Sequence, residues 1–518
     1  MSEMNVPQIM QLAMRQHQAG RLADAEKDYR QVLSVQPDHS DALHLLGVLE
    51  YQQGKLEQAL QHIQRAIQIQ PAAPHYYGNL GLVLEATDRI DDAIAAQRRA
   101  LSLHAEYPEA LNNLGNLLLG KRDFAAAIEM LQKALALRPH YPEGLNNLGN
   151  AFREMGRIDS ALDCFHRAIS LRPQFAPAHL SLGASLIDKG EIRQAISHLR
   201  QAIAIEPDSA EAHHNLGAAL LLMGDFENGW IEYEWRLRMK KVLKSNQQFS
   251  RPIWNGEPLN GRKLLIRAEQ GFGDTIQFCR FIPMIAKQAG KLAGICPPEL
   301  IKLLRCFEDV EWRTTGDSLP DFDVHCSLMS LPRILKTTEA TIPSHVPYLK
   351  VDPILSSRWR KRLNALPGMK VGLAWAGRSE HARDRERSIS PTAFKPLMSL
   401  PNIQGFSLQK VDGISAISSL ASDLNLIDWT NELNDFADSA ALIDNLDLVI
   451  TVDTAIAHLA GALGKKCWTL LPFAPDWRWM LARDDSPWYP TMRLFRQPAI
   501  GDWNSVISQI TRELACLK

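Results

Sequence analysis

The stretch "LVITVDTAIAHLAGALGKK" (448–466) contains residue types that could do chemistry. An apolar run stops at Asp453-Thr454, small helix-forming residues follow at once, and His458 stands one turn further on. A buried strand that turns into a helix there leaves the first-turn amides of Thr454, Ala455 and Ile456 pointing outward as an anion site. The helix dipole adds roughly 0.3 to 1 kcal/mol per bound charge. Small Ala455 lets a pyrophosphate approach the backbone. His458, on the same side as Thr454, is placed to donate to a phosphate or sugar oxygen. Gly464 then ends the helix. Taken alone, the pattern is equally that of an ordinary capped helix with a packed histidine.

A second stretch, "IRAEQGFGDTIQF" (266–278), joins a strand to a helix through Gly271 and Gly273, which permit a tight turn, and Asp274, which opens the helix as a cap. No Gly-Lys-Ser/Thr follows, so this is not a P-loop. A third, "GLAWAGRSEHARDRERSISPTAF", carries Arg378, Arg383, Arg385 and Arg387 beyond another strand, and Gln409-Lys410 end the strand "FSLQK". The "DFD" at 321–323 mimics an Asp-x-Asp metal motif but opens the strand "FDVHC", and no metal or cofactor is expected.

The elements that must position these residues are short apolar runs alternating with helical patterns, as in parallel β/α units. One block offers strands "KLLIRA", "LAGIC" and "FDVHC", with "TIQFCRFIPMIAKQAG" as a helix. A second offers "VGLAWAG", "GFSLQ", "LNLID", "DLVITV" and "CWTLLPF", with helices "DFADSAALIDNL" and "WNSVISQITRELACL". These make two Rossmann-like halves, 262–355 and 356–518, joined around "DPILSSRWRKRLNALPG". Open sheets of this kind bind ligands at their C-terminal edge, where Asp274, Arg387 and Asp453 fall.

Residues 1–240 are of another kind. Leu-Gly recurs every 34 residues from Leu46-Gly47 to Leu216-Gly217, and twelve residues after each glycine comes a small residue, from Ala59 through Ala93, Ala127, Ala161 and Ala195 to Gly229. This resembles the tetratricopeptide repeat in about seven units, implying an α-helical solenoid with a concave face. Before the Leu-Gly pairs stand Asn79, Asn113, Asn147, Ser181 and Asn215. Aligned carboxamides can bind the backbone of an extended peptide. The series resembles the asparagine ladder of protein O-GlcNAc transferases; asparagine is also simply common at this position. A polar connector, 241–261, follows, and all twelve tryptophans lie from Trp230 onward.

The segment "VDTAIAHLAGALGKKCWTLLPFAPDWRW" resembles the nucleotide-sugar motif of the heptosyltransferase family, glycosyltransferases of the two-Rossmann (GT-B) type. Its Asp-Thr, His-Leu-Ala and Leu-Gly fall on Asp453-Thr454, His458-Leu459-Ala460 and Leu463-Gly464, with Ala455 where glycine is frequent. The resemblance, spanning about 262–515, implies that Asp274 is a general base toward the acceptor hydroxyl. It sets Arg387, with Arg378 next, against the pyrophosphate, and Gln409 and Lys410 near the ribose or base. Together these readings imply a metal-independent, inverting transfer from a nucleotide-sugar to a protein or peptide held by the repeats, although heptosyltransferases themselves act on lipopolysaccharide sugars. The alternative is a non-catalytic repeat scaffold with a degenerate transferase half. Charges nearly cancel, 57 Lys and Arg against 58 Asp and Glu, so no overall basic footprint recruits nucleic acid. The scattered seven cysteines, an N-terminus unlike a signal peptide and the lack of a membrane-length apolar run read as cytoplasmic.

Overall fold

The structure, a computed structural model, describes residues 5–239, 242–243, 249–378, 384–410 and 424–517; Arg383 therefore lies outside the described residues. The chain divides into two compact units: Met1–Leu186 with Ala204–Pro207, and Ile187–Ile203 with Asp208–Lys518.

The first unit is a tetratricopeptide-repeat solenoid in which 13-residue helices such as Val6–Gln18 and Ser40–Gln52 alternate with 14-residue helices such as Leu22–Val35 and Leu56–Ile69. Each hairpin turns through one left-handed residue: Gly20, Gly54, Asp88, Arg122 and Gly156, with φ between 63° and 77°. Glycine takes that conformation without steric cost; Asp88 and Arg122 take it against preference. The small residues Ala25, Ala59, Ala93, Ala127 and Ala161 are fully buried where paired helices meet. A Cβ on Gly47 would lie 3.1 Å from the carbonyl oxygen of Ala59, which shows how closely the backbones approach.

The second unit opens with repeat helices, Ala210–Leu222 and the short Phe226–Tyr233, and continues into two all-parallel sheets. The first comprises β1 (Lys263–Arg267), β2 (Lys291–Cys296), β3 (Val310–Thr314) and β4 (Val324–Ser327), in the order β3-β2-β1-β4. The second comprises β5 (Met369–Ala374), β6 (Ile403–Ser407), β7 (Leu448–Val452), β8 (Cys467–Leu471) and β9 (Met492–Arg496), in the order β6-β5-β7-β8-β9. β7 and β8 are buried along their whole length, as continuous apolar runs in a sheet covered on both faces should be.

Four expectations change. β3 and β9 arise from "VEWRT" and "MRLFR", edge strands whose charged residues mask the strand pattern. "LNLID" makes only an isolated bridge, Ile427 to Phe406. The long helix expected after Gly273 breaks into Phe272–Phe278, a tight turn at Cys279–Phe281 and Ile282–Ala286, because Pro283 cannot sit in a helix interior. The latter part of the expected connector is packed: Trp254 and Leu259 are each 1% exposed, and the Trp254 amide donates to the His325 carbonyl at 2.8 Å.

Candidate active site

In both sheets the strand order reverses beside the first strand, between β1 and β4 and between β5 and β7. Neighbouring connections leave in opposite directions at such a point and open a crevice at the carboxyl ends of the strands. Asp274 follows β1 and Asp453 follows β7, the strands beside these two points, and Arg387 reaches the second of them.

β1 runs into Gln270-Gly271 and the helix Phe272–Phe278. The left-handed residue of this turn is Gln270, φ 62°, and not either glycine as expected; Gly271 is extended at φ −87°, ψ 170°. Gly273 serves close approach instead. A Cβ there would stand 2.8 Å from Cδ2 of His458 and 3.6 Å from the Cα of Ala455, so the Gly-rich loop of the first sheet touches the helix that follows β7. Asp274 caps its own helix, accepting from the Gly271 amide at 2.8 Å through Oδ2. Its Oδ1 is paired with Arg478, and its side chain is 16% exposed. Burial raises the Asp274 carboxyl above its ordinary pKa, and the Arg478 charge opposes this.

After β7, Thr454 caps the helix Ala455–Ala462 by accepting from the Ile456 amide at 3.3 Å. One of the three amides expected to face outward is therefore taken by the cap. Asp453 is pushed up to about 6 by burial and by Asp476, against the pull of Arg387 and Arg478. Arg387 reaches this edge: its Nη1 donates to the Asp453 carbonyl at 2.9 Å while its Nε holds Asp384 at 3.1 Å. Gly377 makes room, since a Cβ there would collide with both Arg387 and Asp384.

Other expected donor contacts are committed elsewhere. His458 is buried rather than presented to the crevice: its Nδ1 meets the Tyr489 hydroxyl at 2.9 Å, and its ring stacks on Trp479 at 5.3 Å. Burial and the nearby Arg478 keep it neutral, well below the usual histidine range. Gln409 is also buried, its Oε1 accepting from the amides of Trp375 and Ala376 at 3.0 and 2.9 Å where β5 ends and those donors need a partner. Lys410 donates to the Leu433 carbonyl. Arg378 is exposed and lies 4.1 Å over the ring of Phe272. In "DFD", Asp323 accepts from the Lys263 amide at 2.8 Å and Asp321 pairs with its ammonium, so both acids hold β1.

The residue missed by the sequence reading is Arg478, in the turn Trp477–Trp479 beyond β8. It is 8% exposed, donates to Gln277 Oε1 at 2.6 Å and Asp476 Oδ1 at 2.8 Å, and pairs with Asp274 across 204 residues of chain. Arg280 is buried too, donating to the Trp488 carbonyl at 2.7 Å and the Tyr348 hydroxyl at 2.9 Å beneath the ring of Tyr489. Behind them the last repeat is fused to the sheets. Trp230 donates to the Thr337 carbonyl at 2.9 Å and packs 5.2 Å from Trp477; Arg236, 1% exposed, pairs with Glu269 at 3.0 Å and Glu234 at 2.8 Å. Only the doublet of charges in "PDWRW" signalled Arg478 in advance.

In the first unit the asparagines stand half-buried. Asn79 Nδ2 donates to His44 Nε2 at 2.8 Å, Asn147 Nδ2 to Asn112 Oδ1 at 2.9 Å, and Asn113 Oδ1 accepts from Asn112 at 3.4 Å. The preceding repeat thus consumes part of the ladder's hydrogen-bonding capacity. Asn215 lies in the second unit, bonded to its neighbour His214.

The chain carries tetratricopeptide repeats across its N-terminal region, and a stretch of its C-terminal region is similar to a glycosyltransferase family. Tetratricopeptide-repeat family models match residues 10–74, 73–140, 106–174 and 183–224, and glycosyltransferase family 9 (heptosyltransferase) matches residues 433–477, the stretch that holds Asp453, Thr454 and His458. Among curated proteins, the chain is similar to Protein FlbA of Caulobacter vibrioides, 29% identical over 319 residues that cover 56% of this chain and 53% of that protein. The chain thus matches about half the length of that relative. Among solved structures, a tetratricopeptide repeat protein from Parabacteroides merdae is 17% identical, with a TM-score of 0.40 over 47% of this chain and 97% of that one. TTC0263 of Thermus thermophilus is 29% identical, with a TM-score of 0.30 over 33% and 92%. No helix among the described residues is long and apolar enough to cross a membrane.

Proposed function

We propose that the second unit transfers a sugar from a nucleotide-sugar donor to an acceptor hydroxyl, and that the repeats hold a protein or peptide acceptor. The reading rests on one observation above all: the Gly-rich loop bearing Asp274 lies against the start of the Ala455–Ala462 helix, through the missing Cβ of Gly273. The donor diphosphate docks where β7 turns into that helix, beside Arg387. The acceptor oxygen forms its bond to the anomeric carbon and gives its proton to Asp274. The bond from that carbon to the diphosphate breaks, and the leaving oxygen takes the electron pair. The helix terminus and the cations stabilise the charge that grows there without a metal, and attack from the side opposite the leaving group inverts the anomeric centre.

The test is thermal-shift screening with UDP, GDP, ADP and their sugars, followed by assays of donor hydrolysis and transfer. A nucleotide that stabilises the protein is expected. Asp274→Asn is expected to keep donor binding while losing turnover by about 10²–10⁴-fold, the usual contribution of a general base. No stabilisation by any nucleotide favours the repeat scaffold instead.

A further inference from the structure

A general base is weakened by a cation bound to it, and each oxygen of Asp274 already accepts one hydrogen bond: Oδ2 from the Gly271 amide at 2.8 Å and Oδ1 from Arg478, which sits where an acceptor hydroxyl would approach that oxygen. Arg478 is itself shared among Asp274, Asp476 and Gln277, and its charge bears on Asp453 and His458 at the beginning of the Ala455–Ala462 helix. One guanidinium thus pairs with the carboxylate that would take a proton and acts electrostatically on the residues at the helix end that would take a diphosphate. A phosphate group carries more charge than the carboxylate and offers the same two-pronged geometry to arginine. The turn that carries Arg478 also ends at Met480, with φ 53° and ψ −168°. That conformation is close to glycine-only territory.

We propose that Arg478 is a two-position cation, held by Asp274 while the site lacks nucleotide and drawn onto the donor's diphosphate when one binds, so that Asp274 Oδ1 is uncovered only with a donor in place. The inference rests on the donor site of the preceding section. It adds Arg478 as a positioning residue and makes Asp274 and the diphosphate competitors for it. Departure of the cation also leaves Asp274 more basic, because Arg478 is what holds its carboxyl down against burial.

Competition has a signature that a purely structural ion pair lacks: removing the carboxylate charge should improve nucleotide binding. Isothermal titration of the full chain at pH 7 with UDP, GDP and ADP is to be run on wild type, Asp274→Asn, Arg478→Gln and the double variant. Asp274→Asn is expected to tighten the Kd of the nucleoside diphosphate that binds by about tenfold. Arg478→Gln is expected to weaken it, and in the double variant the gain should vanish. Arg478→Lys, which keeps the charge and loses the fork, substitutes if Arg478→Gln fails to fold, and should shrink the gain. An unchanged Kd in Asp274→Asn with a lowered Tm, or a gain of the same size without Arg478, overturns the two-position cation while leaving the donor site standing. Binding by none of the variants and not by wild type overturns both.

Discussion

The repeat glycine occurs in both units, and its surroundings differ. In the first unit a Cβ on Gly115 or Gly149 would meet chiefly the side chains of Leu131 or Phe165; in the last repeat a Cβ on Gly217 would meet the backbone of Tyr233 itself, 2.4 Å from its nitrogen. The tighter approach follows from Gly229, which stands where earlier repeats have alanine. The ion pairs differ in the same sense. Arg138–Glu109 and Arg172–Glu143 link adjacent repeats with side chains 39–46% exposed, whereas Arg236 and Arg478 are almost fully buried, and Arg478 pairs with Asp274 across 204 residues. A solenoid distributes its stability over neighbours and tolerates the loss of one contact. In the second unit, removing a buried cation leaves a largely buried carboxylate without its charge partner, so the loss of one such contact is felt more.

Three measurements by calorimetry and urea denaturation would break or sharpen this contrast. The largest effect is expected from Arg236→Met, which takes from largely buried Glu269 its charge partner at 3.0 Å and should cost about 3–5 kcal/mol. Arg138→Met, its counterpart in the first unit, should cost no more than about 1 kcal/mol; equal losses would erase the distinction. Next, Gly217→Ala should destabilise by about 2–3 kcal/mol, since backbone must move. In Gly115→Ala, Leu131 can turn aside, and about 1 kcal/mol or less is expected; a reversed order would mean that the last hairpin is not the tighter one.

The smallest effect is electrostatic and depends on pH. The Asp453 carboxyl is raised from 3.8 to about 6, so the folded state favours its protonated form. The corresponding stability is fully present below pH ~4 and is lost as pH rises through about 6. Asp453→Asn has no such loss. Its Tm relative to wild type should therefore climb between pH 4 and pH 7.5, by about 2–4 °C. Parallel curves for the two proteins would show that ionising Asp453 costs nothing.

What the sequence discloses follows the range of each interaction. The 34-residue period, the Gly229 exception, the Thr454 cap and the Gly464 stop (φ 68°) are legible, because each is set by residues within a few turns of one another or by a repeat of the same contact. The buried strands are legible for a similar reason: apolar runs such as β7 and β8 carry their own signal. Arg478 on Asp274, His458 on Tyr489 and Gln409 on the end of β5 are not. They are polar side chains satisfied by partners 31 to 204 residues away, and a sequence motif names the type of residue without naming its partner. For His458 the motif was read as a ligand contact, and the missing Cβ of Gly273 instead brings the neighbouring loop against the ring.

The uneven placement of tryptophan has a practical consequence. Selective excitation of indole gives emission from the second unit alone, since Trp230 is the first tryptophan in the chain and the first unit holds none. Trp477 lies 4.4 Å beneath the guanidinium of Arg478, and a cation that leaves an indole face changes both its quantum yield and its wavelength. The second unit therefore carries, among its twelve indoles, one seated against Arg478 and readable without labels, while the first unit stays dark.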